Sequence, residues 1–192
     1  MWGLDMAMGR HGLGDSGETF LLTGEKVSKD DERLEVLGQI DELSSLIGIV
    51  ISHLNIEDKD ISEILMSIQE HLFIIGYHIA SLGRHDLKNS EEVLKSLKYL
   101  EDVIARYEPR LPPLKKFIFL TGVPVATFIF YARAVARRVE RRIVSLSKKY
   151  DVEPNILAYI NRLSTLLFIL GRYVNRKNNY VEREWSMKNS GQ

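Results

Sequence analysis

The 192-residue chain contains no cysteine. That excludes disulfide staples, thiolate metal sites and cysteine nucleophiles together, and it fits a reducing compartment. No uninterrupted apolar run approaches the roughly 18 to 20 residues that a membrane-spanning helix needs. The first twenty residues, MWGLDMAMGRHGLGDSGETF, lack the basic segment and apolar stretch of a secretory leader. The expectation is a cytoplasmic chain with no membrane partner, built as one domain large enough to bury its own core. Net charge is also missing, but the balance hides an asymmetry. Residues 1–100 carry 9 Lys+Arg against 18 Asp+Glu, and residues 101–192 carry 17 against 8. Such polarity points to an anionic ligand, or to acidic surfaces meeting basic ones in an oligomer.

What the chain does have is helical period. Residues 1–29 form a glycine-rich and polar arm. From Lys29 onward Leu34, Leu37, Leu43, Leu46, Ile47, Val50 and Leu54 recur at steps of three and four, with Ser28 or Asp30 available as N-cap. Ile61 to Leu82 repeats the pattern, as does Val93 to Tyr107 before the stop at Pro109. LPPLKKFIFLTGVP, residues 111–124, breaks it with prolines and a TGVP turn. Two more helices follow, about Val125 to Tyr150 and Pro154 to Asn178. The fold class is all-α, a five-helix bundle over residues 30–179, with an irregular N-terminal arm (1–29) and a C-terminal tail (180–192). Helices two, four and five look apolar on more than one face, as in YINRLSTLLFIL, which suggests burial at a subunit interface as well as in the core.

Four constellations carry chemistry. In ARAVARRVERR, residues 132–142, the residues Arg133, Arg137, Glu140 and Arg141 share one helix face, and Arg138 and Arg142 form an adjoining row. Like charges at these spacings repel, so the row is either neutralised by a polyanion or by acids of another chain, or it is a solvated basic face. GLGDSGETF, Gly12 to Phe20, offers backbone amides that can cradle phosphate, with Lys29 near in sequence. It matches neither a P-loop nor a dinucleotide fingerprint, and a plain flexible arm is the alternative. Asp41 falls near the inner stripe of the first helix, where a carboxylate either meets a cation or sits at a wet boundary. Asn161 interrupts an apolar helix and needs either helix-packing hydrogen bonds or a ligand. His71, His78 and His85 are seven apart, about 10.5 Å per step along a helix, too far for neighbours to share a metal, and are read as structural. No Glu-x-x-His pairs support a di-iron bundle, and no metal ligand set is assigned.

Taken in order, GDSGET, GEKVSKDD, IDELSS, LPPLKKFIFLTG, ARAVARRVERR and NRLSTLLFILGRYVN resemble the PduO-type ATP:cob(I)alamin adenosyltransferases over roughly Gly12 to Trp185. The resemblance implies a homotrimer of five-helix bundles, with ATP held between the arm of one chain and the arginine helix of the next. It implies attack of the cob(I)alamin cobalt on C5′ of ATP, giving adenosylcobalamin and triphosphate. Magnesium would accompany the triphosphate, and a corrinoid reductase is a possible partner. By position, Gly14, Asp15, Gly17 and Thr19 match the family's phosphate loop and Lys29 its phosphate-binding lysine. Arg137, Arg138, Glu140, Arg141 and Asn161 match its ATP contacts, Asp41 and Arg133 an ion pair between subunits, and Phe117 the ring beneath the corrin. Phe117 and Arg137 are thereby the expected catalytic residues.

Three departures accompany the resemblance. His11, Gly12 and Leu13 stand where the family has Thr-Arg/Lys-Thr, and a protonated His11 would be the remaining cation there. Thr121 and Val123 replace a proline and a glycine, and Thr165 replaces an acid. They leave a second reading open, a non-catalytic ATP- or corrinoid-binding trimer of the same fold. A third, a nucleic-acid-binding bundle, rests on arginine density alone and lacks interleaved aromatics or a helix-turn-helix; nucleic acid is not expected as a partner.

Overall fold

The computed structural model describes residues 14–83 and 90–186. Five helices form the bundle: α1 (Glu32–Ser52), α2 (Lys59–Ala80), α3 (Ser90–Tyr107), α4 (Pro124–Leu146) and α5 (Pro154–Lys177). α1 packs on α2 and α4, α5 on α4 and α3, and a slighter contact of α2 with α3 closes the circle. The stripes expected from the sequence supply the core. Leu37, Leu43, Ile47 and Val50 of α1 and Ile61, Leu65, Ile68 and Leu72 of α2 are all essentially solvent-free. Among the described residues no helix is long and apolar enough to cross a membrane.

The helix ends follow local chemistry. Asp31, rather than Ser28 or Asp30, caps α1 by accepting from the Arg33 backbone N–H at 2.8 Å. α4 and α5 each open on a proline, where the missing N–H costs no hydrogen bond. α3 ends at Tyr107, as Pro109 requires.

The arm is not irregular. Glu18–Phe20 (β1) and Lys26–Ser28 (β2) pair antiparallel, with Thr19 opposite Val27. The three-residue strands are too short for an alternating pattern to register in sequence, and the hairpin is held from outside. Its anchor is Arg33, only 4% exposed, which grips Glu25 at 2.9 Å and Asp31 at 2.8 Å and stacks 5.1 Å over the Tyr150 ring. The Arg33 hydrogen bonds hold both carboxyls below the ordinary carboxylate range, and that to Asp31 is the largest influence raising the guanidinium above its own.

Two further features are accounted for within one chain. The acidic half meets the basic half within one chain: Lys149–Glu32 (2.8 Å), Arg142–Glu35 (3.8 Å) and Arg138–Glu42 form a ladder between the acids of α1 and the basic residues of α4 and the turn after it. And α5 is apolar on more than one face because its own chain covers it on two sides, whereas α2 leaves Met66, Phe73 and Tyr77 exposed and α4 leaves Tyr131 and Val144 exposed.

Candidate active site

The arginine row lies on the part of α4 that faces away from the core. Val135, Ala136 and Val139 point inward and are solvent-free, which turns Arg137 and Arg141 out to solvent and leaves Arg133 and Glu140 half-buried. Arg133 lies 5.2 Å over the Phe168 ring. Burial first, and then the like charge of Arg137, hold its guanidinium below the ordinary value. Arg141 donates to the Arg137 carbonyl at 2.9 Å, and Arg138 is engaged with Glu42. Among the described residues no carboxylate pairs with Arg133 or Arg137. Arg133 and Arg137 are thus adjacent cations that no described carboxylate pairs, a place where a bound anion gains charge-assisted contacts.

Glu140 and Asn161 come together across α4 and α5. The Asn161 amide donates to Glu140 Oε1 at 2.8 Å and accepts from Arg162 at 3.2 Å, and Arg162 continues to Glu101 on α3 at 3.4 Å. The amide that interrupts the apolar helix thus sits at the edge of the row with both ends held.

The glycine loop also assembles. Gly14 and Gly17 close a turn (N–H to carbonyl, 3.2 Å), and the Gly17 carbonyl receives the Lys29 N–H at 2.8 Å. This pairing brings the Lys29 side chain across the turn: a Cβ added to Gly14 would stand 2.8 Å from Nζ. Asp15 is exposed on the same turn. Lys29 is joined to the arginine row by no hydrogen bond or ion pair among the described residues. Loop and row are separate elements of one chain. His11, Gly12, Leu13 and His85 lie outside the described residues.

Phe117 stands on the connector between α3 and α4 (residues 111–123), 81% exposed. Trp185 lies edge-on to its ring at 6.4 Å, and the two line a groove of about 530 Å³ with Leu114 and Lys116. The connector is clamped from below. Asn175, 1% exposed, donates to the Thr121 carbonyl at 2.9 Å and accepts from the Val123 N–H at 3.1 Å. Gly122 fits because it has no side chain: a Cβ there would lie 1.9 Å from Asn175 Oδ1. Gly122→Ala is expected to cost about 2–3 kcal/mol by overpacking, read as a lower midpoint in urea.

The matching family model is Cobalamin adenosyltransferase, over residues 11–174. The chain belongs to the cobalamin adenosyltransferase family. Similar relatives include the corrinoid adenosyltransferase of Bacillus subtilis, 38% identical over 175 residues (90% of this chain, 89% of that one), and the human corrinoid adenosyltransferase, 36% over 180 residues (92% and 72%). Among solved structures, variants of the Lactobacillus reuteri PduO-type ATP:corrinoid adenosyltransferase superimpose well. One is complexed with ATP (TM-score 0.84, 32% identity, 92% of this chain and 99% of that one). Another is complexed with cobalamin and ATP (TM-score 0.86, 31%, 92% and 98%).

Within this cobalamin adenosyltransferase fold, sequence reasoning passed over Arg33, Arg172, Asn175 and Trp185. Arg172 and Asn175 had a signal available, since polar residues among the apolar ones of LGRYVN must find buried partners. Trp185 had none, because only backbone pairing of the tail with the connector brings it to Phe117. Of the histidines, His71 is structural: its Nδ1 lies 3.1 Å from the Tyr159 hydroxyl, with Tyr99 and Tyr159 edge-on to its ring. Burial pushes that imidazole below its ordinary value, against the opposing pull of Glu70.

Proposed function

We propose that this protein transfers the 5′-deoxyadenosyl group of ATP to cob(I)alamin, releasing triphosphate and forming adenosylcobalamin. The observation that carries the proposal is the exposed Arg137, which no described carboxylate pairs, beside the Glu140–Asn161 contact, on a chain of this family. Cobalt(I) is itself the nucleophile, so no side chain has to remove a proton; it attacks C5′, the C5′–O bond breaks, and the triphosphate leaves with the electron pair. The protein's work is orientation, stabilisation of the leaving charge and exclusion of water.

In this reading Arg137, Arg138, Arg141 and Asn161 hold the nucleotide, with Glu140 fixing Asn161 in place. Arg138 would exchange its Glu42 partner for phosphate, an easy exchange for a pair more than two-fifths exposed on both sides. Gly14, Asp15, Gly17, Thr19, Lys29 and His11 come from the arm of a neighbouring subunit in a homotrimer, and Asp41 pairs with Arg133 across that boundary. The separation of loop and row within one chain supports this arrangement, as do the exposed apolar side chains of α2 and α4, which an assembly would cover. Phe117 lies under the corrin and keeps an axial ligand from the cobalt.

The donor set suits magnesium carried by the nucleotide: cations and amides gather here, and among the described residues no three carboxylates or imidazoles converge. Asp15 is the carboxylate of the loop that would reach it, and the ion would add charge to offset the triphosphate. A cytoplasmic setting and a corrinoid reductase supplying cob(I)alamin complete the proposal.

The test is direct. ATP and chemically reduced cobalamin are mixed with the protein and the corrinoid spectrum is followed. Conversion to adenosylcobalamin is expected; none at high protein concentration overturns the proposal, and tight ATP or corrinoid binding without conversion would identify a non-catalytic binder.

A further inference from the structure

Arg172 is a charged residue in the apolar body of α5, only 6% exposed. Its Nε and Nη2 meet the two Glu182 carboxylate oxygens at 2.9 and 3.0 Å, and Nη2 also donates to the Pro112 carbonyl at 2.9 Å. One guanidinium thus ties the start of the connector and the tail to the same helix. Beyond this tie the two strands zip together. The Phe119 N–H donates to the Arg183 carbonyl at 2.9 Å, the Trp185 N–H to the Phe117 carbonyl at 2.8 Å, and the Arg183 guanidinium covers the Phe119 ring at 4.4 Å. A second ion pair between the strands, Lys116–Glu184 at 3.3 Å, is more than half exposed and adds little.

A buried ion pair is a poor way to gain stability, since apolar residues of the same volume do as well. What a forked, bidentate contact supplies is a fixed geometry. We propose that Arg172 is a positioning residue: through Glu182 and Pro112 it sets the tail against the connector so that Trp185 stays docked on Phe117 and the groove between them keeps its shape. The inference rests on the corrin role proposed for Phe117. Arg172 touches no reacting atom and acts only through the two strands.

The chain holds two tryptophans, Trp2 and Trp185. In a full-length Trp2→Phe background Trp185 alone reports on the tail. Arg172→Met and Glu182→Gln are both expected to make Trp185 emission redder and more quenchable by acrylamide. Both should raise KM for cob(I)alamin about tenfold, equivalent to about 1.4 kcal/mol, and leave KM for ATP within about twofold. Arg172→Lys, which keeps the charge but loses the fork, should recover part of the docking. Should Arg172→Met fail to fold by circular dichroism, Glu182→Gln decides, because Glu182 lies outside the bundle. Unmoved Trp185 fluorescence in a folded variant overturns the latch, and so does a rise in KM for ATP equal to that for cob(I)alamin. The fluorescence needs no corrinoid, so a protein inactive in adenosyl transfer would sink the proposed function, whereas the Trp185 emission would still show whether Arg172 docks the tail.

Discussion

Arg137→Ala is expected to lower kcat/KM for adenosyl transfer by about 10²- to 10³-fold, the usual loss when one donor aimed at a developing negative charge is removed. The size of the effect follows from what Arg137 does not do for the fold. Its side chain is exposed and makes no ion pair among the described residues, so deleting it should change stability by no more than about 0.5 kcal/mol. It also relieves repulsion, because Arg137 depresses the neighbouring Arg133. An exposed arginine that repels its neighbour and pairs with no described carboxylate is accounted for by a ligand. Steady-state kinetics with each substrate varied in turn, alongside a thermal melt, would show a folded protein with ATP binding and turnover both lost. Unchanged kinetics would reject the assignment. Arg138→Ala is the internal comparison: it loses a contact that Glu42 already shares, so its effect should be smaller and partly a stability effect.

The five helices were legible because helix packing writes itself into sequence at steps of three and four, and the prolines and stops agree with it, although the α1 cap fell one residue past Asp30. The candidate residues on α4 and α5 were visible for a related reason. Five arginines crowd the outer face of α4 beyond what solvation needs, and a lone asparagine interrupts the apolar run of α5, so both stood out as candidates. The β1–β2 hairpin escaped because three-residue strands carry no period and depend on Arg33, whose partners lie both two residues and eight residues away. The clamp around Phe117 escaped for a stronger form of the same reason. Asn175 with Thr121, Arg172 with Pro112, and Phe117 with Trp185 are separated by 54, 60 and 68 positions, and no local pattern encodes contacts of that span. The polarity of charge between the halves was visible, but its destination was ambiguous. An acidic α1 and a basic α4 are complementary whether they meet within one chain or across two, and only packing decides that the ladder is internal.

Phe117→Ala should divide the site in two. The ring is 81% exposed with Trp185 edge-on to it, so its removal creates no cavity and avoids the roughly 3–5 kcal/mol that a core Phe→Ala change costs. A large apolar side chain displayed to this extent is accounted for by something that covers it, and burying a phenylalanine against an apolar face is worth about 1.5–3 kcal/mol. If a corrin is that cover, the variant should lose about 10- to 100-fold in kcat/KM for cob(I)alamin while KM for ATP stays put. The two substrates then separate by residue: Arg137 governs the nucleotide and Phe117 the corrinoid. The distinction does not depend on how the chain assembles, since Phe117 sits on the connector with Trp185 and the arginine row sits on α4. Equal losses for both substrates would mean that the connector shapes the nucleotide site as well, and the corrin assignment of Phe117 would fail even if the protein is a competent adenosyltransferase.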